Sequence, residues 1–371
     1  MDFRFGVEEE YFLVRRAGGA ACLEPPAEFW ADLKREAPHA SKELLQSQVE
    51  AKTTPCRSAE DCRRELTACR SAIDDTARRH GLGLIAAGTH PSMDWRDGKP
   101  SKGARYNKLV RDMRMLALRN MFCGLHVHVE IPDSASRVAV MNRLGPYLPL
   151  FLTLSVSSPL WRGHWTGMCG YRLTGYDELP RTGLPPYFAE QADYDRYVGA
   201  LVRAGAMADE SYLWWAVRPS LRFPTLELRI CDSVTDVNAA VAIAALYRCL
   251  VRRLALDQRF GANPSSMLRA IAEENRWQIQ CDGLDAVIVD VDTLEPIGAR
   301  AAVRELAAKL ESDARALGCL GELEAIEKIL REGTSADRQI ALFTEAIERG
   351  ASEAEATQAV LDWLLRASIG Q

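Results

Sequence analysis

Three consecutive glutamates, Glu8, Glu9 and Glu10, stand inside the otherwise apolar segment 2–14. Glutamate is a poor strand former and adjacent carboxylates repel. A fold that keeps this segment as a strand must therefore separate them. The strand period of two does so: Glu8 and Glu10 point to one face, about 7 Å apart, and Glu9 points to the other with Phe3, Phe5, Val7, Tyr11 and Leu13. One reading of the Glu8–Glu10 pair is a solvated edge strand. The other is a site for a hard cation, whose oxygen ligands would offset the repulsion.

Three further segments repeat this pattern of one polar face opposite one apolar face. In 43–54, Glu50 alternates with Gln48, Lys52 and Thr54, while Val49 and Ala51 face the other way. A polar strand face of this kind is ordinarily just solvated. In 122–131, Cys123, Leu125, Val127, Val129 and Ile131 form an apolar face, and His126, His128 and Glu130 form the other. Two imidazoles beside a carboxylate favour a ligand or substrate role over a buried core histidine. In 224–232, Leu226, Leu228 and Ile230 point to the core and Glu227 and Arg229 away from it. A surface ion pair is the plain reading there. With Arg218 and Arg222 just upstream, the guanidinium density also suits a polyphosphate. One sheet could gather carboxylates, imidazoles and arginines into a single pocket, as phosphoryl transfer requires.

The 371 residues allow two domains or one large one. Helices are predicted over 26–37, 58–80, 134–157, 193–207 and 236–258, and a short strand over 82–90. From about 296 onward the chain reads as mostly helical. Strands interrupted by helices and followed by a helical run point to an α+β fold. The formal charge of −5 argues against a nucleic-acid partner, and no apolar run is long enough to span a membrane. The acidic N-terminus does not resemble a signal peptide, so a cytoplasmic location is expected. Ten cysteines without a C-x-x-C pair are expected to be reduced packing residues. P-loop, H-E-x-x-H and G-x-S-x-G motifs are absent, and GLGLIA at 81–86 runs from helix to strand, the wrong order for a dinucleotide fold.

The segments GVEEEYFLV (6–14), ELLQSQVEAKTTPC (43–56), AAGTHP (86–91), CGLHVHVEIPD (123–133), MNRLGPYLPL (141–150), SSPLW (157–161), RTGLPP (181–186), LWWAVRPSLRFPTLELRICD (213–232) and ENRW (274–277) together resemble the glutamate–cysteine ligase type 2 family, the bacterial carboxylate–amine ligases. They follow the family's order and cover most of residues 1–280. The resemblance implies a glutamine-synthetase-like, mostly antiparallel catalytic sheet over residues 1–290, with flanking helices. A helical C-terminal extension, 291–371, would pack on the same domain. It implies ATP and Mg²⁺, with Mn²⁺ as an alternative, and an acyl phosphate made from a small carboxylate such as the glutamate γ-carboxyl. An amine such as that of cysteine then attacks it. It also suggests a homodimer.

Carried over by motif, Glu8, Glu10, Glu43, Glu50, His126 and Glu227 would hold the metal ions. Arg229 would contact the phosphates, helped by Arg218 and Arg222. Arg229, Glu50 and Glu227 would carry catalysis, and Glu9 would be structural. The family pattern after SSPLW reads G-x-D-T-G and then S-Y-R. Here RGHWTGMCGYRL places Trp165 where Asp is expected and Gly170 where Ser is expected, and keeps Tyr171 and Arg172. Trp165, Tyr171, Arg172 and His128 are accordingly the expected substrate contacts, and a specialised substrate pair is expected. The alternatives are phosphotransfer to a small nitrogenous acceptor, a metal-dependent amidohydrolase, and a non-catalytic paralogue that binds nucleotide or amino acid.

Overall fold

The computed structural model describes residues 2–370. The chain opens with β1 (Phe5–Arg15), α1 (Ala27–Glu36), β2 (Ala40–Lys42), β3 (Gln48–Lys52), α2 (Ala59–Arg79) and β4 (Leu82–Ile85). Then come α3 (Ala104–Met113), α4 (Met115–Arg119), β5 (Gly124–Glu130), α5 (Ser134–Leu144) and α6 (Leu148–Ser155). A hairpin of β6 (Leu160–Trp161) and β7 (His164–Trp165) precedes α7 (Tyr171–Tyr176), α8 (Gln191–Arg203), β8 (Val217–Pro219) and β9 (Thr225–Asp232). The remainder is α9 (Val237–Leu256), α10 (Ser266–Asp282), the hairpin β10 (Val287–Val289) and β11 (Pro296–Gly298), and α11 to α15 (Ala299–Lys309, Glu311–Leu317, Leu320–Glu332, Ser335–Glu348, Glu353–Ala367). No helix among the described residues is long and apolar enough to cross a membrane.

The main sheet runs β2-β3-β1-β5-β9-β8, with β4 also on β1, and every pairing in it is antiparallel. The expected α+β architecture is observed. The face carrying Val7, Leu125, Val127, Val129, Leu226, Leu228 and Ile230 is buried in the largest core cluster, which also holds the inner face of α9. The opposite face changes character along β1. It is polar at Glu8 and Glu10, then apolar at Phe12 and Val14, where Val360, Leu361 and Leu364 of α15 cover it. The C-terminal helices therefore close one end of the polar face.

Some expected elements divide. The predicted helix 134–157 becomes α5 and α6, separated by a 3₁₀ turn at Gly145–Tyr147. Pro146 lacks the N–H needed to continue the first helix and sits well at the start of the second. The predicted strand 43–54 keeps only Gln48–Lys52, because the chain turns back after β2: the Gln48 amide donates to Leu45 O. Residues 104–119 form α3 and α4, where no element was expected. In the segment 279–296, Asp290 organises the β10–β11 turn by accepting from the amides of Asp292 and Thr293.

Candidate active site

Cross-strand register builds the site. Glu8 lies opposite Lys52 of β3 on one side and His126 of β5 on the other. Glu10 lies opposite Glu50. Glu227 of β9 lies between His128 of β5 and Arg218 of β8. A bulge sets Arg229 and Ile230 of β9 against the single residue His126. Such bulges re-aim side chains. The result is a cavity of about 630 Å³ floored by this sheet face. Its lining includes Glu8, Glu10, Glu43, Glu50, His126, His128, Arg172, Arg218, Arg222, Glu227 and Arg229. Helices α3 and α4 border it through Tyr106, Leu109, Met113 and Ala117.

The acidic end is crowded. Burial, Glu43 and Glu8 push the Glu50 carboxyl well above its usual range. Burial and Glu10 push Glu43 up to about 7. Burial alone would also raise Glu8, but His126, His128 and Lys52 hold it below the normal value. The Lys52 ammonium bridges Glu50 at 2.7 Å and Glu8 at 3.0 Å. Burial would lower it; the two carboxylates outweigh that and raise it.

At the other end Glu227 is fully enclosed. Arg218 holds it with Nε to Oε2 at 2.8 Å and Nη2 to Oε1 at 3.2 Å, and Arg229 Nη1 donates to Oε1. Burial would raise this carboxyl; Arg218, Arg229 and His128 keep it well below its ordinary value. Arg218 spends its remaining Nη1 donors on the carbonyls of Ser211 and Leu213. Arg229 retains an Nε without a partner among the described residues, and its Nη2 donates to Tyr176 Oη at 3.3 Å. Burial and Arg229 lower His126, which keeps its ring a neutral donor atom for a ligand.

Three sets of donor atoms lie within 4.8 Å of one another: Glu8–Glu50–His126, Glu8–His128–Glu227 and Glu10–Glu43–Glu50. All six residues expected as metal ligands fall within them, with His128 added. Nε2 of both histidines is buried without a hydrogen-bond partner among the described residues. The all-carboxylate set Glu10–Glu43–Glu50 suits Mg²⁺ or Mn²⁺, and the two sets that include an imidazole nitrogen suit Mn²⁺ better than Mg²⁺, so the residues present fit the implied metals.

The structure does not bring every expected residue to the cavity. Arg172 is there: it enters over Gly124, where a Cβ would collide with its guanidinium, and its Nε is buried without a partner among the described residues. Trp165 is not. It stands 49% exposed on β7, outside the lining. Tyr171 is also outside, touching Trp161, which in turn stacks on the lining residue Phe122. Glu9 lies on the reverse face, fully buried against Arg70. Residues the sequence reading missed include Tyr176 and Trp214. Tyr176 follows Arg172 by four positions, one helical turn, a spacing that could have revealed it. Trp214 carries no such local signal.

A family model described as glutamate–cysteine ligase family 2 (GCS2) matches residues 4–358. A Bradyrhizobium diazoefficiens protein named "Putative glutamate--cysteine ligase 2" is 43% identical over 345 residues, covering 93% of this chain and 80% of that protein. A Rhodospirillum rubrum protein of the same name is 38% identical over 374 residues, covering 99% and 96%. Among solved structures, the Francisella tularensis glutamate–cysteine ligase in complex with AMP superposes with a TM-score of 0.72 at 12% identity, covering 99% of this chain and 89% of that one. The Pasteurella multocida bifunctional glutathione synthetase gives 0.70 at 15%, covering 98% of this chain and 52% of that one. At these identities the superpositions establish the fold.

Proposed function

The chain belongs to glutamate–cysteine ligase family 2, and from that premise we propose that it is an ATP-dependent carboxylate–amine ligase forming an amide bond. A carboxylate oxygen takes the γ-phosphoryl group of ATP, giving an acyl phosphate and ADP. The amine then attacks the acyl carbon, the carbon–oxygen bond to phosphate breaks, and the amine loses a proton. We place the reaction in the cytoplasm and read residues 1–290 as the catalytic unit, with 291–371 as its helical extension.

The observation that carries this reading is the shared sheet face. Three donor sets of carboxylates and imidazoles line the same cavity as Arg172 and Arg229, each of which has a buried Nε without a partner among the described residues. Glu8, Glu10, Glu43, Glu50, His126 and Glu227 would hold divalent cations, with His128 beside them. Those cations supply charge neutralisation for the nucleotide phosphates when bound. Arg229 has the free donor to stabilise charge on the transferring group, and Arg222, an exposed residue of the cavity lining, would contact the outer phosphates. Arg218 serves them from behind, through Glu227. Arg172 offers a buried cation to a substrate carboxylate. Glu50 and Glu227 flank Glu8 and anchor the catalytic floor with it.

Hydroxylamine trapping tests this. The enzyme is incubated with MgATP, hydroxylamine and a panel of carboxylic and amino acids, and products are read by mass spectrometry. A hydroxamate from one acid, with matching ADP, is the expected result and identifies the donor. A stable phosphorylated product without hydroxamate would favour phosphotransfer. Amide cleavage without ATP would favour a hydrolase.

A further inference from the structure

The motif RTGLPP at 181–186 is not absorbed by the site described above, yet the structure ties it to the cavity wall. Three consecutive carbonyls of the turn before β8 are taken by arginines: Ser211 O and Leu213 O by Arg218 Nη1, at 2.9 and 2.8 Å, and Tyr212 O by Arg181 Nε at 3.0 Å. The Trp214 amide donates back to Arg181 O at 2.9 Å, and the Ala216 amide to Gly183 O at 2.8 Å. The Arg181 guanidinium lies over the Trp214 indole, 5.4 Å from its centre. Trp214 lines the cavity; Arg181 does not. Arg181 also adopts φ +62°, a conformation a non-glycine residue keeps only where its surroundings impose it.

We infer that Arg181 is a positioning residue that acts through Trp214, fixing the indole as a cavity wall that selects a flat, uncharged part of the bound ligand. The hydrogen bonds to the two guanidiniums fix the backbone that carries Trp214, and rotation of the indole would lose its contact with the Arg181 guanidinium. With the Arg181 guanidinium over the indole and the Tyr212 ring tilted against it at 5.7 Å, the part of the indole that lines the cavity suits a planar neutral group, because a second cation would be repelled by the first. The inference rests on the ligase reading only for the identity of that ligand.

The test compares the wild type with Arg181→Met, Arg181→Lys, Trp214→Leu and the Arg181→Met/Trp214→Leu and Arg181→Lys/Trp214→Leu double variants. The protein has eight tryptophans, so the Trp214 signal is the difference between each protein and its Trp214→Leu counterpart. Acrylamide quenching of that difference needs no turnover. It should rise at least twofold in Arg181→Met and stay near wild type in Arg181→Lys. Unchanged quenching in Arg181→Met overturns the inference. In the hydroxamate assay, Arg181→Met should raise KM for MgATP or for the carboxylate at least fivefold, with a smaller change in kcat. The same substitution should add nothing in the Trp214→Leu background. An equal effect in both backgrounds also overturns it. A wild type that makes no hydroxamate sinks the ligase reading, while the quenching arm still decides the role of Arg181.

Discussion

Arg70 of α2 clasps the Glu9 carboxylate on the buried side of the sheet, with Nη2 2.6 Å from Oε1 and Nε 3.0 Å from Oε2. Tyr11 Oη also donates to Glu9, and the guanidinium binds the carbonyls of Val234, Thr235 and Ser368. The middle glutamate of the triplet is thus a structural rivet joining β1, the chain after β9, and the C-terminus. Breaking a buried pair by removing one partner leaves the other charged and unsolvated, at a cost of roughly 3–5 kcal/mol. Arg70→Met should lose about that much in urea unfolding. A loss under 1 kcal/mol would remove the rivet from the account.

His90 predicts a pH dependence. Its Nδ1 accepts from the amides of Ser92 and Met93, and its Nε2 faces Gly19 O at 3.0 Å, so the ring is neutral with its proton on Nε2. Burial pushes its pKa down to about 4, against an ordinary 6.5. The folded state therefore binds fewer protons than the unfolded state between these values. The contribution is complete above pH 6.5 and is lost as pH falls towards 4, on the order of 3 kcal/mol across that window. His90→Asn keeps an acceptor oxygen and does not titrate. Its stability should fall less steeply than wild type from pH 6.5 to 4; parallel curves would refute the assignment.

Glu43 predicts a trade between stability and metal binding. It stands with Glu10 and Glu50 in one donor set, and burial and Glu10 push it up to about 7, so above that pH, without cations, it adds like charge to a crowded cluster. Glu43→Gln should raise the melting temperature in EDTA by a few degrees, about 1 kcal/mol on the usual conversion for a chain of this size. The same variant should lose most of the thermal shift that millimolar Mg²⁺ gives the wild type. A full Mg²⁺ shift in Glu43→Gln would take Glu43 out of the ligand set.

Trp165 makes the opposite kind of prediction. The sequence reading expected this departure from the family pattern to reshape the substrate pocket. In the fold it sits on the β6–β7 hairpin, outside the cavity lining. Trp165→Asp is therefore expected to change the KM values in the hydroxamate assay by no more than twofold. A larger, substrate-selective change would require the hairpin to move over the cavity.

Much of this was legible in local pattern. The period of two assigned Glu8 and Glu10 to one face and Glu9 to the other, and it paired His126 with His128 and Glu227 with Arg229. The helix predicted over 58–80 agrees with α2 (Ala59–Arg79) to one residue at each end, with Ser58 as its N-cap. What could not be read locally was which side chains meet across strands. Lys52, Glu8 and His126 form one row only because β3, β1 and β5 pair in this register.

The sequence by itself determined which face of each strand is polar and which residue types the site would contain. A strand's alternation is a property of consecutive residues. The tertiary structure decided their neighbours: Arg172 passing over Gly124, Arg218 spent on Glu227, Arg181 behind Trp214, and Trp165 out of reach. Those relationships depend on register, on a bulge in β9 and on helices arriving from distant parts of the chain. They are set by the packing of the whole core, which no single segment encodes.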